Sequence, residues 1–135
     1  MFEAGDNRRT ALIVEERSGI AELGAAMLAE FDLDVEFAPS AETAIDHLCR
    51  RGGQIDVVLS GVRPPGRMTG AALARRISVL WPTVSVILMS DEPGQEPASL
   101  PARAAVIPKP WLPLNVVAAT ERAWRADHTV KAVRL

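Results

Sequence analysis

The sequence has little of several features that mark particular classes of protein. A single cysteine, Cys49, excludes an intramolecular disulfide framework and a cysteine-cluster metal site, and is consistent with a reducing compartment. Basic residues are not in excess, because 15 Lys+Arg stand against 17 Asp+Glu for a net charge of −2. The chain therefore lacks the positive field that nucleic-acid binding usually requires. Its apolar runs are far shorter than the roughly 20 residues of a membrane span. We expect a cytoplasmic protein that binds neither nucleic acid nor a membrane.

The length and composition are those of one folded domain. The chain has 135 residues, of which 48% are hydrophobic and 24% charged, and disordered chains have fewer hydrophobic residues and a higher net charge. We expect a domain over residues 10–126, a flexible N-terminal tail at 1–9 and a C-terminal tail at 127–135.

Five short segments predict the strands of a sheet. Four are apolar and rich in β-branched residues, as buried strands are: 11–14, 55–59, 84–89 and 104–107. The fifth, 34–38, alternates polar and apolar residues, as expected for a strand nearer the edge of a sheet.

Apolar residues at helical spacing separate these strands. The three sets are Ile20, Leu23, Met27 and Phe31; Ala41, Ala44, Ile45, Leu48 and Cys49; and Leu73, Ile77, Leu80 and Trp81. Ser40 is a candidate N-cap of the second helix, and Pro82 follows the third where it should stop. Strand and helix therefore alternate, which predicts an α/β doubly wound parallel sheet with helices on both faces.

The last third of the chain is less regular. Three prolines at 93, 97 and 101 leave little room for a fourth helix, so we expect a short or irregular one there. A last helix should run from Pro113 to about Trp124.

Residues at the carboxyl ends of the strands are the candidates for function, because ligands bind there in open parallel sheets. Glu15 and Glu16 follow the first strand and Gly61 follows the third. Ser90 follows the fourth strand, and Lys109 follows the fifth.

Together, four segments resemble the receiver domain of bacterial response regulators. They are 12–16, 56–66, 86–90 and 107–111, and the resemblance covers about residues 10–125. It implies a flavodoxin-like fold with five parallel strands in the order 2-1-3-4-5. It also implies a signalling role in a two-component or phosphorelay pathway. The implied partner is a signalling protein, namely a histidine kinase or another regulator. The domain could also form a homodimer.

The resemblance also implies a role for each residue at the strand ends. Receivers hold Mg²⁺ with an acidic pair after the first strand, here Glu15 and Glu16. They are phosphorylated on an Asp after the third strand, and that position here is Gly61. A hydroxyl residue and a lysine then contact the phosphoryl group, and these positions are Ser90 and Lys109.

Two spacings place Gly61 at the acceptor position. Pro65 lies four residues after it, as in receivers, and Asp56, which commonly opens this strand in the family, lies five residues before it. Ser60 is one position away, so its side chain should face the other side of the strand. A hydroxyl would also need an activating base, and we do not take Ser60 as a substitute acceptor.

The departures from the family pattern predict a pseudo-receiver. Gly61 lacks both the carboxylate that would accept the phosphoryl group and one oxygen ligand of the metal. Val106 stands where receivers usually carry a switch aromatic, and the chain has no tyrosine. We therefore expect a module that is not an enzyme, acts through protein–protein contacts, requires no cofactor and binds Mg²⁺ weakly at most.

Two other functions stay open. The first is a phosphorylatable receiver with a non-standard acceptor, such as Asp91 or Glu15. The second is a flavodoxin-like domain that binds a small ligand, although no glycine-rich phosphate loop follows the first strand.

Several residues also have simpler interpretations. Glu15 and Glu16 are acids that the dipole of a nearby helix N-terminus would favour in solvent. Without a phosphoryl group, the Ser90 hydroxyl would form a hydrogen bond to the backbone, and Lys109 would form a structural ion pair. Cys49 is expected to pack in the core, as buried cysteines do.

Four arginines form a basic group around the third strand and helix: Arg63, Arg67, Arg75 and Arg76. A solvated face is the default interpretation, and contact with an acidic partner is the alternative.

Overall fold

The computed structural model describes residues 9–16, 18–30, 32–90 and 100–108. Strands and helices alternate through most of these residues. The elements are β1 Arg9–Val14, α1 Ser18–Ala29, β2 Leu33–Ala38, α2 Ala41–Arg51, β3 Val57–Gly61, α3 Gly70–Leu80, β4 Ser85–Ser90 and β5 Ala104–Pro108. A short 3-10 helix at Gly52–Gln54 follows α2.

The five strands form one parallel sheet in the order β2-β1-β3-β4-β5. The chain runs outward from β1 to the edge strand β2 and then returns to place β3 on the other side of β1. This reversal is the switch point of a doubly wound fold. The predicted fold class and strand order are confirmed.

The core has two layers because successive side chains of a strand point to opposite faces of the sheet. In β1, Leu12 and Val14 join a cluster covered by α2 and α3. Ala11 and Ile13 join a second cluster that contains Leu28 of α1. Helices therefore cover both faces, as the sequence predicts.

Asp56 ties three strands together at the end of the sheet opposite the candidate site. Its side chain accepts a hydrogen bond from the N–H of Thr10 at 2.8 Å. Its own N–H donates to the Thr10 carbonyl at 2.9 Å, and its carbonyl accepts from the N–H of Ser85 at 3.0 Å. These bonds fix where β3 starts, and hence which residue ends it.

Side-chain caps define where α2 and α3 begin. Ser40 Oγ accepts from the N–H of Thr43 at 3.1 Å, and Thr43 Oγ1 accepts from the N–H of Ser40 at 3.0 Å. This reciprocal capping box confirms Ser40 as the N-cap of α2. Thr69 caps α3 by accepting from the N–H of Ala72 at 3.0 Å. The helix ends two residues before Pro82, as predicted.

Two predictions about helical side chains are wrong. Cys49 is exposed, because α2 buries Ala41, Ala44 and Leu48 and the next residue is rotated by about 100° around the helix. Leu80 is 51% exposed and lies at the edge of the apolar stripe of α3.

Some predictions fall outside the described residues. They concern Phe31 with the side chains of Ile20, Leu23 and Met27, and the irregular segment at 91–99 with Asp91. They also concern Lys109, the helix expected from Pro113, residues 1–8 of the N-terminal tail and the whole C-terminal tail. Within the described ranges no helix is long and apolar enough to cross a membrane.

Candidate functional site

The carboxyl ends of three neighbouring strands bring predicted site residues to one edge of the sheet. Gly61 ends β3 and pairs with Met89 of β4. The pairing of β1 with β3 places Glu15, one residue beyond β1, level with Gly61. Ser90 ends β4, one residue beyond Met89. Three of the predicted positions therefore lie at the carboxyl ends of neighbouring strands, beside the switch point between β1 and β3.

The two residues of the acidic pair differ in their exposure to solvent. Glu15 is half-buried, and its N–H donates to the Ala38 carbonyl at 3.0 Å, whereas Glu16 is exposed. Ser90 is 4% exposed. Among the residues that the structure describes, no group of three or more His, Cys, Asp or Glu side chains could hold a metal ion.

Ser60 is fully buried next to the strand end. Its hydroxyl donates to the Gly61 carbonyl at 2.9 Å. Because side chains alternate along a strand, Ser60 faces the side of the sheet to which Val58 points, under α2 and α3. This burial supports the exclusion of Ser60 as an acceptor.

The start of α3 packs closely against the end of β3. Val62 N–H donates to the Met89 carbonyl at 3.0 Å, and Gly70 N–H donates to the Val62 carbonyl at 2.9 Å. A Cβ at Gly70 would lie 2.8 Å from the Gly61 carbonyl oxygen. The absence of a side chain at residue 70 therefore permits this approach.

Glu42, in the first turn of α2, holds the loop between β3 and α3, a role that no sequence pattern predicted. Its Oε2 accepts from the N–H groups of Arg67 and Met68, both at 3.0 Å. A hydrogen bond from its own N–H and those from Arg67 and Met68 lower the pKa of the Glu42 carboxyl below its ordinary 4.5. The loop also needs Gly66 at φ +101°, where a Cβ would lie 2.0 Å from Glu42 Oε1.

Val106 lies in β5 opposite Leu88. It is half-buried and packs against the cluster that contains Val58 and Leu88. The position at which the resemblance implies a switch aromatic is therefore occupied by an aliphatic side chain packed on the core.

A polar cluster joins α2 to the edge strand β2. Glu36 accepts hydrogen bonds from His47 Nε2 and from Arg51 Nε, the latter at 3.0 Å, and its other oxygen pairs with Arg51 Nη2. Partial burial raises the pKa of Glu36, but the hydrogen bonds and charges of His47 and Arg51 outweigh it and leave the pKa below 4.5. The cluster positions α2 on the sheet.

The model of the response regulator receiver domain family matches residues 11–120. No curated protein sequence matches the chain significantly.

Solved structures of receiver domains have a similar fold. A response regulator receiver domain protein from Clostridium thermocellum is 19% identical with a TM-score of 0.81, over 90% of this chain and 98% of that one. The signal receiver domain of an HD domain-containing protein from Pseudomonas fluorescens Pf-5 is 23% identical with a TM-score of 0.74, over 91% and 99%.

NtrX from Brucella abortus, solved with ADP, is 22% identical with a TM-score of 0.77, and the match covers 94% of this chain and 29% of that one. Because the family model matches most of the sequence, the chain belongs to the response regulator receiver family, whose domains act in two-component signalling.

Proposed function

We propose that this domain is a pseudo-receiver, a module of a two-component or phosphorelay pathway that acts through protein–protein contacts without aspartyl phosphorylation. The observation that carries the proposal is Gly61 at the end of β3. In the family, the residue at this strand end supplies the carboxylate that attacks phosphorus. A glycine has no side chain to do so.

The position of Gly61 is supported from both ends of the strand. The hydrogen bonds between Asp56 and Thr10 fix the start of β3, and five residues later Gly61 pairs with Met89. On the other side, Pro65 follows at the spacing that receivers use. If the acceptor position were assigned one residue earlier, it would fall on Ser60, whose side chain is fully buried.

The same glycine weakens metal binding. Hard divalent cations are held mainly by carboxylate oxygens, and residue 61 contributes none. Of the acidic pair, Glu15 lies at the sheet edge and Glu16 is exposed to solvent. We propose that the site binds Mg²⁺ weakly at most and requires no cofactor, with Ser90 and Lys109 in structural roles.

The loop after Gly61 already has an anchor within the domain. Glu42 binds the N–H groups of Arg67 and Met68, so the loop is held without a phosphoryl group. Val106 stands in place of the switch aromatic, so the domain lacks the side chain that would change rotamer in a phosphorylation-driven rearrangement. These features support one constitutive conformation that a histidine kinase, another regulator or a second copy would bind.

The folded domain has a proposed first and last residue. We propose a folded unit at 10–126 with tails at 1–9 and 127–135; the family match over 11–120 lies inside that unit, and β1 extends one residue further, to Arg9. Limited proteolysis followed by mass analysis would test these limits, and rapid cleavage inside 10–126 would contradict them.

Incubation with acetyl phosphate and Mg²⁺, followed by intact-mass measurement, tests the proposed function. We expect no phosphoryl adduct. An adduct that resists substitution of Ser60 and maps to Glu15 or Asp91 would overturn the proposal in favour of a receiver with a non-standard acceptor. A thermal-shift screen with nucleotides and flavins tests the ligand-binding alternative, which a saturable increase in melting temperature would support.

A further inference from the structure

One segment of the described chain has a net positive charge because it contains no acidic residue. Residues 57–90 contain four arginines, no lysine and no acidic residue. The whole chain has a net charge of −2, so the other residues together carry −6, the difference between −2 and +4. The segment from β3 to β4 is therefore a basic part of an acidic protein.

Two of these arginines share the surface of α3 with two exposed apolar residues. We call Arg75, Arg76, Val79 and Leu80 the α3 surface. Val79 is 78% exposed, Leu80 is 51% exposed, and both arginines are exposed. Arg75 and Val79 are four residues apart, as are Arg76 and Leu80, so each pair adjoins on the helix. Within the described part of the chain, neither arginine forms an ion pair.

This composition is that of an interface rather than of an ordinary solvated face. Single exposed apolar residues are normal, but here two consecutive ones lie next to arginines. Interfaces are enriched in arginine and depleted of lysine and acids. A guanidinium is also more weakly hydrated than an ammonium group, so it loses less on contact with a partner.

The rest of α3 holds this surface rigidly. Leu73 and Ile77 are fully buried under it, and Trp81 packs against the core cluster at the end of the helix. The α3 surface therefore faces solvent on a fixed helix, and its exposed side chains contribute little to folding.

We propose that the α3 surface docks an acidic amphipathic segment of a partner protein. Apolar side chains of that segment cover Val79 and Leu80, and its carboxylates pair with Arg75 and Arg76. Charge complementarity selects an acidic partner, and the exposed apolar pair selects a protein over a nucleic acid. The inference goes beyond the proposed function because it does not depend on the chemistry of residue 61.

A peptide titration monitored by amide NMR of the labelled full chain tests the inference. The probe is a synthetic amphipathic helix with leucines on one face and glutamates on the other, and its control carries lysines in place of the glutamates. We expect saturable shifts within Ala72–Trp81 with the acidic peptide alone. Arg76→Glu and Leu80→Ser should each weaken binding about tenfold, as interface anchors do.

Phe37→Ser is the matched control variant, because Phe37 is 41% exposed on β2 and lies outside the α3 surface. It should bind the acidic peptide like the wild type. Thermal unfolding of all variants checks that folding is intact, which we expect because the substituted residues are exposed.

Three outcomes would overturn the inference. The first is a failure of the expected selective binding. The acidic peptide would then not bind, both peptides would bind equally, or Arg76→Glu and Leu80→Ser would leave binding unchanged. The second is self-association in sedimentation that Leu80→Ser abolishes, because a second copy would then occupy the surface. The third is binding of a single-stranded oligonucleotide, but not of the acidic peptide, that Arg76→Glu abolishes.

Discussion

Gly61 lies opposite Met89 in the last pair that joins β3 to β4. The third strand therefore ends on a residue without a side chain, at the edge of the sheet where Glu15 and Ser90 also lie. A side chain placed at residue 61 would lie at this same edge. This relationship makes the site testable by adding a group as well as by removing one.

Gly61→Asp should create a phosphorylatable receiver. The substitution supplies a nucleophile and an oxygen ligand for Mg²⁺ at the strand end. We expect an adduct of one phosphoryl group after incubation with acetyl phosphate and Mg²⁺, detected by intact mass and absent without the metal. Gly61→Asn has nearly the same size but no carboxylate, and should stay unmodified. A folded Gly61→Asp protein that stays unmodified would contradict the assignment of this site.

Substitutions at Ser60 should affect stability rather than signalling chemistry. Ser60→Ala removes the hydrogen bond to the Gly61 carbonyl and should lower the free energy of unfolding by about 1 kcal/mol. Ser60→Asp places an unpaired carboxylate in a fully buried position and should cost about 3 kcal/mol or more. Urea denaturation measures both. A Ser60→Asp protein as stable as the wild type would show that this side chain is not confined to the core.

Glu36 should make the stability of the domain depend on pH. Its pKa in the folded state lies below the ordinary 4.5, so the ionised carboxylate stabilises the fold above pH 4.5. That stabilisation is lost as the pH falls through the folded-state pKa. Glu36→Gln should therefore lower the free energy of unfolding by about 1 kcal/mol at pH 7. In urea denaturation at pH 3 the difference should shrink, whereas a difference that is equal at both pH values would contradict this account.

Gly66→Ala should release the loop that Glu42 holds. Alanine is strained at φ +101°, and its Cβ would meet Glu42 Oε1. We expect a loss of about 1–3 kcal/mol in the free energy of unfolding. Adding Glu42→Ala should recover part of the loss, because it removes the clash but not the backbone strain. Complete recovery in the double variant would show that the backbone at residue 66 is not strained.

The fold could be predicted because its main signals are local. The β-branched runs and helical spacings depend on neighbouring residues, and Ser40 and Pro82 mark helix ends through their own chemistry. The errors lie at the edges of helical stripes. Cys49 follows the buried Leu48, but rotation by one residue carries it out of the core.

The candidate site could be predicted where it depends on strand ends. Glu15, Gly61 and Ser90 lie at one edge of the sheet because parallel strands present their carboxyl ends there. The role of Glu42 could not be predicted, because its carboxylate binds the N–H of Arg67, 25 residues away along the chain. The pair Pro65–Gly66 indicates a turn, but nothing in the sequence indicates which side chain holds it.

Amide NMR with Mg²⁺ and then beryllofluoride tests whether the domain lacks a phosphoacceptor. Beryllofluoride mimics a phosphoryl group on an acceptor aspartate, so it requires the carboxylate that Gly61 lacks. We expect that adding beryllofluoride after Mg²⁺ causes no further shift at Glu15, Gly61 or Ser90, while the Gly61→Asp protein responds. A second set of shifts at these amides in the wild type would contradict the claim that the domain has no phosphoacceptor.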